Sequence, residues 1–338
     1  MRWTVGINNL QCVNSKCIIV DFHIEFYKVT MFVQSLRCCI WTFRLNPYTR
    51  LATKNSRTPS RQLWFDAFDL LLNLRGIGWS WPQGLRIPKE TRNVGSTISF
   101  LLTTLQWVIL DLIAFDSCHY VVQAMQSKSN VAGIFDASLP PLHRYARSTI
   151  MTILTGFTVY LGIDSQYYSS TIVAVAVFQQ SPSIWPPPSD RPYLSTSLNQ
   201  FWTARWHQSF RDIFIRIGGK PSSYLFGRVG GLLGAFFISG VLHDIGCWSL
   251  GRGTNIKGIS EFFLMNGIGI ILERVFKSIT GKRVHGVAGW IWTHVWLLGW
   301  GGLLINAWFE HGLVECSFWP EHVRPAFYVH KLLFPNVL

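Results

Sequence analysis

The chain has 338 residues, of which 49% are hydrophobic and 15% aromatic, and only 14% are charged. Because average chains carry about 25% charged residues, this composition favours helices in lipid over one or two soluble domains. The net charge of +13 comes without an RNA- or DNA-binding motif, so we expect no nucleic-acid partner. Its basic residues lie between apolar runs, which the positive-inside rule and contact with anionic membrane lipid explain; an anionic substrate is a compatible second cause.

Several classes of metal and catalytic site are absent from the sequence. The seven cysteines are scattered without a CxxC pair, which supports neither a zinc site nor a disulfide framework. No two of the ten histidines lie three to five residues apart, which excludes the histidine boxes of di-iron membrane desaturases. A GxSxG elbow, a Walker loop and an HExxH motif are also missing. We therefore expect no metal ion and no bound cofactor.

The N-terminal region, 1–64, alternates apolar and charged residues and contains no continuous apolar span. We predict that it is irregular or peripheral and that it ends in a basic, polar linker. Residues 65–315 are the predicted membrane domain. Residues 316–338 form a C-terminal tail whose last run, "FYVHKLLFPNVL", is expected at the membrane surface.

Five stretches of the predicted membrane domain are long enough to cross a bilayer core, which needs about 20 residues. The second of them is interrupted by Asp164, Ser165 and Gln166, and is either one tilted helix or two short ones. The sequence therefore predicts an all-α, polytopic transmembrane helical bundle. The five predicted spans are 97–122, 148–178, 224–247, 259–277 and 286–309.

Glycines in the third span and basic residues between the spans add two expectations. Gly227 and Gly231, like Gly230 and Gly234, are four residues apart, a spacing that lets a neighbouring helix approach closely. The basic residues are richest before the first span, between the second and third, and after the fourth. The positive-inside rule places these three loops in the cytosol.

The segment 201–211, "FWTARWHQSFR", belongs to the second of these loops and follows a proline-rich stretch. Ser195, Thr196 or Ser197 can cap a helix that begins there. On one such helix Trp202 and Trp206 would share a face directed to the membrane, and His207 and Arg211 would share another that faces a ligand. The alternative is an interfacial helix with tryptophan anchors and snorkelling arginines.

A second candidate for chemistry is "SGVLHDIG", 239–246, near the end of the third span. Ionisable side chains at that depth usually face the interior of a bundle or a wet cavity. Desolvation disfavours the imidazolium form, so His243 is expected to be neutral and able to accept a proton. Asp244 is about 100° round the helix, whereas Ser239 is one turn away and better placed to orient the ring. The alternative is a purely structural histidine bonded to a neighbouring carbonyl.

A third feature is "NLRGIGWSWPQG", 73–84, just before the first span. Its glycines and tryptophans indicate a tight turn with an interfacial anchor, and a substrate-gating loop is the alternative.

Taken together, "RGIGWSW", "WPPP", "FWTARWHQSFR" and "SGVLHDIG" resemble the fungal wax-synthase-like branch of the membrane-bound O-acyltransferases over about residues 65–315. The order of the motifs is specific, whereas each motif alone is weak. The resemblance implies a multi-span protein of the endoplasmic reticulum that moves an acyl group from acyl-CoA to an alcohol. The fungal branch includes acetyltransferases that complete terpenoid and meroterpenoid natural products.

The resemblance also implies roles for particular residues. His243 corresponds to the catalytic base, and His207 to a second signature position that holds asparagine in many relatives; it would polarise the thioester carbonyl or support the oxyanion. Charge-assisted bonds to the CoA phosphates are expected from arginines at the cytosolic mouth. The arginines are Arg205, Arg211 and Arg216, and the tryptophans expected to wall the entrance are Trp202 and Trp206.

The substrates expected from the resemblance are acetyl-CoA and a terpenoid-type alcohol in the membrane; the alternative is a wax-ester synthase that joins a long acyl chain to a fatty alcohol. Relatives have further spans before "RGIGW", so we expect the start of this chain to be truncated or misread, or the chain to be a degraded copy. The contrasting class is a non-enzymatic membrane protein, such as a lipid transporter or an inactive partner subunit. A cavity shared by His207 and His243 would favour the enzyme.

Overall fold

The computed structural model describes residues 73–82, 84–129, 131–249, 253–315 and 324–333, together with Leu51, Asp66 and Asp69. The irregular N-terminal region and most of the C-terminal tail predicted above lie outside these residues. Within the described ranges the chain forms helices and short 3₁₀ turns and no β-strand. The prediction of an all-α, polytopic helical bundle is confirmed.

The helices are numbered in chain order. Each of the five predicted spans lies largely within a long helix of the structure. The helices are α1 Thr97–Ser127, α2 Pro141–Ala176, α3 Leu198–Gln200 with the π-helix Phe201–Arg205 that continues it, α4 Arg211–Phe214 with its continuation through the π-helix Ile215–Gly219 into Lys220–Ser249, α5 Ile256–Thr280, α6 Gly286–Glu310 and α7 Pro325–Leu333.

Helix α2 is one continuous helix of 36 residues, which decides between the two alternatives for the second span. The polar interruption does not break it because its side chains find partners. Asp164 accepts a hydrogen bond from the Ser189 hydroxyl at 3.0 Å, and the Ser165 hydroxyl donates to the carbonyl of Gly162 at 3.0 Å. Helix α2 begins with Pro141 in its first turn, where proline's missing N–H costs nothing.

Helix α4 is a hairpin with two arms, 211–225 and 228–249, that fold back at Phe226 and Gly227. The φ of Gly227 is +63°, a left-handed conformation that favours glycine. A Cβ atom at Gly218 would overlap the carbonyl of Gly234, although in a straight helix these two residues would be about 24 Å apart. The glycine spacing therefore does allow close packing, and the neighbour is the preceding arm of the same helix. The third crossing begins after this turn, a few residues later than predicted.

The long helices pack as antiparallel neighbours, α1 on α2, the second arm of α4 on α5, and α5 on α6. Within the ranges that the structure describes, three segments are long and apolar enough to cross a membrane: Thr97–Ser127, Pro141–Ala176 and Arg211–Trp248, the last being the hairpin. Apolar side chains such as Ile98 and Leu102 are exposed on the outer faces, as expected for surfaces in contact with lipid. The main hydrophobic core lies between the second arm of α4, α5 and α6.

Candidate active site

His243 lies on the second arm of α4, near its C-terminal end. Its Nδ1 atom is 2.7 Å from the backbone carbonyl of Ser239, and its ring packs on Phe263 with the centroids 4.5 Å apart. A carbonyl oxygen can only accept, so Nδ1 carries the proton and the neutral ring keeps an unprotonated Nε2. This contact with the Ser239 carbonyl is expected both for a ring that Ser239 orients and for the alternative of a structural histidine bonded to a neighbouring carbonyl. Asp244 instead accepts from the backbone N–H of Asn255 at 2.7 Å.

The segment 198–211 does not form the single helix predicted for it. The Ser197 hydroxyl caps α3 by accepting from Gln200 N at 3.0 Å, which confirms one of three predicted caps. The π-helix then ends at Arg205, and Trp206 is extended (φ −75°, ψ 151°). The prediction that His207 and Arg211 share one helix face is therefore wrong.

The expected direction of the aromatic side chains is also wrong for Trp202. Its ring packs inside the bundle, edge-on to Phe236 with centroids 5.6 Å apart, and its indole N–H donates to Asn266 Oδ1 at 3.0 Å. Trp206 remains in contact with it at a centroid distance of 6.4 Å. The segment thus enters the space between the helices, where the polar indole nitrogen has a partner.

His207 lies two residues after the last residue of the π-helix, Arg205. Gln208 stabilises the end of the π-helix, since its side-chain amide donates to the carbonyls of Trp202 at 3.2 Å and Trp206 at 2.9 Å. The Nδ1 atom of His207 is buried and has no hydrogen-bond partner among the described residues. Burial is the main cause that lowers the pKa of His207 to about 3, so the ring is neutral at physiological pH. A buried polar atom without a partner is uncommon in native structures, which makes the His207 ring a candidate for a functional role.

The hairpin explains why two residues so distant in sequence meet. His207 is nineteen residues before Phe226 and His243 is seventeen after it, so antiparallel arms bring both histidines to the open end of α4. The close packing of Gly218 on Gly234 fixes the register of the arms.

His207 and His243 line the same cavity, which has a volume of about 990 Å³. Its walls are mostly apolar and aromatic, and they come from α2, the segment 192–211, both arms of α4, α5 and α6. This is the size and character of a site for a sizeable lipophilic ligand, with few polar groups to orient it. Further polar side chains along its wall are Thr152, Tyr160, Tyr193, Thr203, Gln208, Arg211, Ser239, Arg274 and His294.

The predicted site residues divide into two groups. Trp202, Trp206 and Arg211 line the cavity with the histidines. Arg205 does not line it, because its guanidinium donates to the carbonyl of Asp190 at 2.9 Å and lies 3.5 Å from that carboxylate. Arg216 does not line it either. It pairs with Asp212 at 2.7 Å and donates to the carbonyl of Trp81 at 3.3 Å.

The motifs "RGIGWSW" and "WPPP" form one structural unit. Arg75 is buried and donates to the carbonyls of Pro186 at 2.7 Å and Pro187 at 2.8 Å, and to the Tyr167 hydroxyl. Gly76 makes the tight turn that was predicted, with a φ of +66° and no room for a Cβ against the Trp81 ring. The expectation of an interfacial anchor is wrong for Trp79 and Trp81, each of which is 4% exposed.

Residues of the site region such as His294 and Glu273 were missed from the sequence, although the reasoning used for His243 could have found them. His294 lies in the fifth predicted span and lines the cavity, with Nδ1 2.8 Å from the carbonyl of Trp290. Glu273 lies in the fourth span and contacts the backbone of α3. An ionisable side chain inside an apolar span is a candidate functional residue wherever it occurs.

Comparison with known proteins gives a consistent group of relatives. A model of the membrane bound O-acyl transferase family matches residues 185–265, a range that contains both histidines. The acetyltransferase ple2 of Rhodocybe pseudopiperita is 26% identical over 68% of this chain and 62% of its own length. The long-chain-alcohol O-fatty-acyltransferase of Simmondsia chinensis is 25% identical over 45% of this chain and 46% of its own length.

A third relative, the acetyltransferase spyB of Aspergillus fumigatus, is 26% identical over 45% of this chain and 31% of its own length. The matches thus span less than two thirds of the length of each of these relatives. No solved structure shows a significant match.

Proposed function

We propose, from the chain's membership of the membrane-bound O-acyltransferase superfamily and of its fungal wax-synthase-like branch, that it transfers an acyl group from acyl-CoA to the hydroxyl of a lipophilic alcohol. The observation that supports this proposal most directly is that His207 and His243 line one cavity. A lipid transporter or an inactive partner subunit would need no such pair. The protein is an integral membrane protein, and its proposed location is the endoplasmic reticulum.

In the proposed reaction His243 is the general base. Its Nε2 takes the proton of the acceptor hydroxyl as the oxygen attacks the thioester carbonyl carbon. When the tetrahedral intermediate collapses, the C–S bond breaks and the electron pair leaves with sulfur. The imidazolium of His243 returns its proton to that sulfur, so the products are the ester and CoA thiol. The hydrogen bond from Nδ1 to the Ser239 carbonyl keeps Nε2 free for both transfers.

His207 is the proposed partner of the carbonyl oxygen. A neutral imidazole has one N–H to donate, and the oxygen gains negative charge as the intermediate forms. A donor held in a dry, apolar cavity stabilises that charge more than it stabilises the ground state. The buried, unpartnered Nδ1 of His207 supports this role, because it identifies a polar atom whose partner is not supplied by the described residues.

Arg211 is the proposed contact for the phosphates of CoA, since it is the one of the three predicted arginines that lines the cavity. Replacing Arg211 with alanine should raise the KM for acyl-CoA about tenfold, because a hydrogen bond to a charged group contributes about 1.5–3 kcal/mol. The kcat should change less than about twofold, because the charge acts on binding. The measurement is initial rate against acyl-CoA concentration in microsomes.

Arg283 provides a matched control, because it is exposed on the loop after α5 and does not line the cavity. The Arg283→Ala variant should keep the wild-type KM. If Arg211→Ala also kept it, Arg211 would have no part in binding the co-substrate.

The proposed substrates are acetyl-CoA and a terpenoid-type alcohol. The relatives ple2 and spyB are named acetyltransferases, and a cavity of about 990 Å³ has room for a polycyclic alcohol beside the thioester. The second candidate, transfer of a long acyl chain to a fatty alcohol, is favoured by the similarity to the Simmondsia chinensis enzyme.

The test is a product assay in microsomes from a heterologous host. Acetyl-CoA or palmitoyl-CoA is supplied with either a panel of terpenoid alcohols or hexadecanol, and the esters are identified by mass spectrometry against empty-vector membranes. We expect an acetyl ester of a terpenoid alcohol. A palmitoyl ester of hexadecanol would keep the chemistry and reverse the choice of substrates. Absence of every ester would contradict acyl transfer by this chain.

A further inference from the structure

We infer that Glu273 of α5 is a positioning residue that holds the segment bearing His207 in its place in the cavity wall. The inference rests on the proposed function, since it assigns Glu273 a role through His207. Glu273 itself does not touch the cavity lining at His207. It acts at the other end of the segment, where α3 begins.

Glu273 is 8% exposed, and its carboxylate accepts hydrogen bonds from three donors. Oε1 accepts from the backbone N–H of Leu198 at 2.6 Å and from the indole N–H of Trp292 at 3.0 Å. Oε2 accepts from the backbone N–H of Asn199 at 3.1 Å. The first N–H groups of a helix have no partner within it, so a carboxylate from α5 here fixes where the segment starts.

Two further residues on the same face of α5 contact the segment closely. Asn266 accepts from the Trp202 indole at 3.0 Å, and its own amide donates to the Phe262 carbonyl at 2.8 Å, which fixes its orientation. A Cβ at Gly269 would overlap the side chain of Leu198, so glycine permits the close approach. Asn266, Gly269 and Glu273 recur at intervals of three and four residues and therefore form one stripe along α5.

The segment transmits this anchoring to His207. Trp206 N donates to the carbonyl of Phe201 at 2.8 Å, and Gln208 binds the carbonyls of Trp202 and Trp206. Hydrogen bonds thus link the π-helix to the residues on both sides of His207. A shift at the start of α3 displaces the His207 ring, and a misplacement of about 1 Å at a reacting centre can cost about 10²-fold in rate.

The test is Glu273→Gln, which keeps the shape of the side chain and one acceptor oxygen but turns an amide NH₂ toward one of the two backbone N–H groups. We expect kcat to fall about 10- to 100-fold while the KM values for acyl-CoA and alcohol stay within about twofold. Amide hydrogen exchange should become faster in the peptide 196–208. Trp292→Phe removes one donor and leaves both backbone contacts, so it should lower kcat less than Glu273→Gln.

Asp116→Asn is the matched control for a purely structural effect. Asp116 is a buried carboxylate that binds Arg324 at 2.9 Å and the backbone N–H of Ala326 at 2.9 Å, and none of these three residues lines the cavity. It should lower the Tm in detergent and leave kcat and the exchange of 196–208 unchanged. Wild-type kcat in Glu273→Gln, or an equal loss in Asp116→Asn, would overturn the inference.

Amide exchange keeps this inference separate from the proposed function. If the wild-type chain transferred no acyl group, the proposed function would fail. Unchanged exchange at 196–208 in Glu273→Gln would show in either case that the carboxylate does not anchor the segment.

Discussion

Replacing His243 with alanine is expected to lower kcat for acyl transfer by about 10²- to 10⁴-fold, the contribution of a positioned general base. This corresponds to about 3–5 kcal/mol of transition-state stabilisation. The physical reason is the fixed tautomer. Nδ1 is committed to the Ser239 carbonyl, so only Nε2 can accept the proton of the acceptor hydroxyl. The measurement is the rate of ester formation in microsomes at matched expression.

His311 offers a close control for this substitution. Its Nδ1 lies 2.6 Å from the carbonyl four residues earlier, that of Ala307, which is the arrangement His243 has with Ser239. His311 does not line the cavity. His311→Ala should therefore keep wild-type turnover. Retained turnover in His243→Ala would remove the base assignment, whatever the control shows.

His207→Ala is expected to lower kcat by about 10²- to 10³-fold, the loss typical of one oxyanion donor. His207→Asn should recover most of this loss and remain within about tenfold of the wild type, because an asparagine amide also donates an N–H. Asparagine differs from alanine by its carboxamide group, so recovery in His207→Asn but not in His207→Ala reports what that polar group supplies. Equal loss in both would indicate that His207 supports the fold of the segment and does not donate to the reacting carbonyl.

The same asparagine variant has a readout that is independent of turnover. In the unfolded chain histidine takes up a proton near pH 6.5, whereas burial lowers the pKa of His207 to about 3 in the folded state. The unfolded state therefore binds more protons between these values, and the free energy of unfolding decreases as the pH falls below about 6.5. His207→Asn removes this contribution. Its Tm in detergent should fall less than that of the wild type between pH 7.5 and pH 5.

The helices were largely predictable from the sequence because their positions follow from apolar length alone. Each predicted span lies largely within a helix, and the glycine spacing in the third span correctly indicated close packing. The turn at Phe226 and Gly227 was not predictable, since it lies inside an apolar run and a single glycine is also tolerated in a helix. The hairpin depends on glycines of the earlier arm, Gly218 and Gly219, whose partners only the folded chain identifies.

The break after Arg205 was missed for a related reason. No proline or glycine occurs between 198 and 211, so local propensity favours one continuous helix. Tertiary contacts prevent it: Asp190 N donates to the Arg205 carbonyl at 2.8 Å, and the indole of Trp202 is held by Asn266. The histidines themselves were predictable because each lies in a polar or ionisable motif within an apolar chain. The role of Glu273 was not predictable: an ionisable residue in an apolar span identifies a candidate, but only the structure shows that it binds the backbone of Leu198 and Asn199.

The central claim is that His207 and His243 act on one reacting centre. The most direct test is a double-mutant cycle for acyl transfer with His207→Ala, His243→Ala and the double variant. Residues that act as a unit give strongly non-additive losses. We predict that the double variant loses about as much kcat as the more damaging single variant. A loss equal to the product of the two single losses would show that the histidines act independently, and would contradict the shared site.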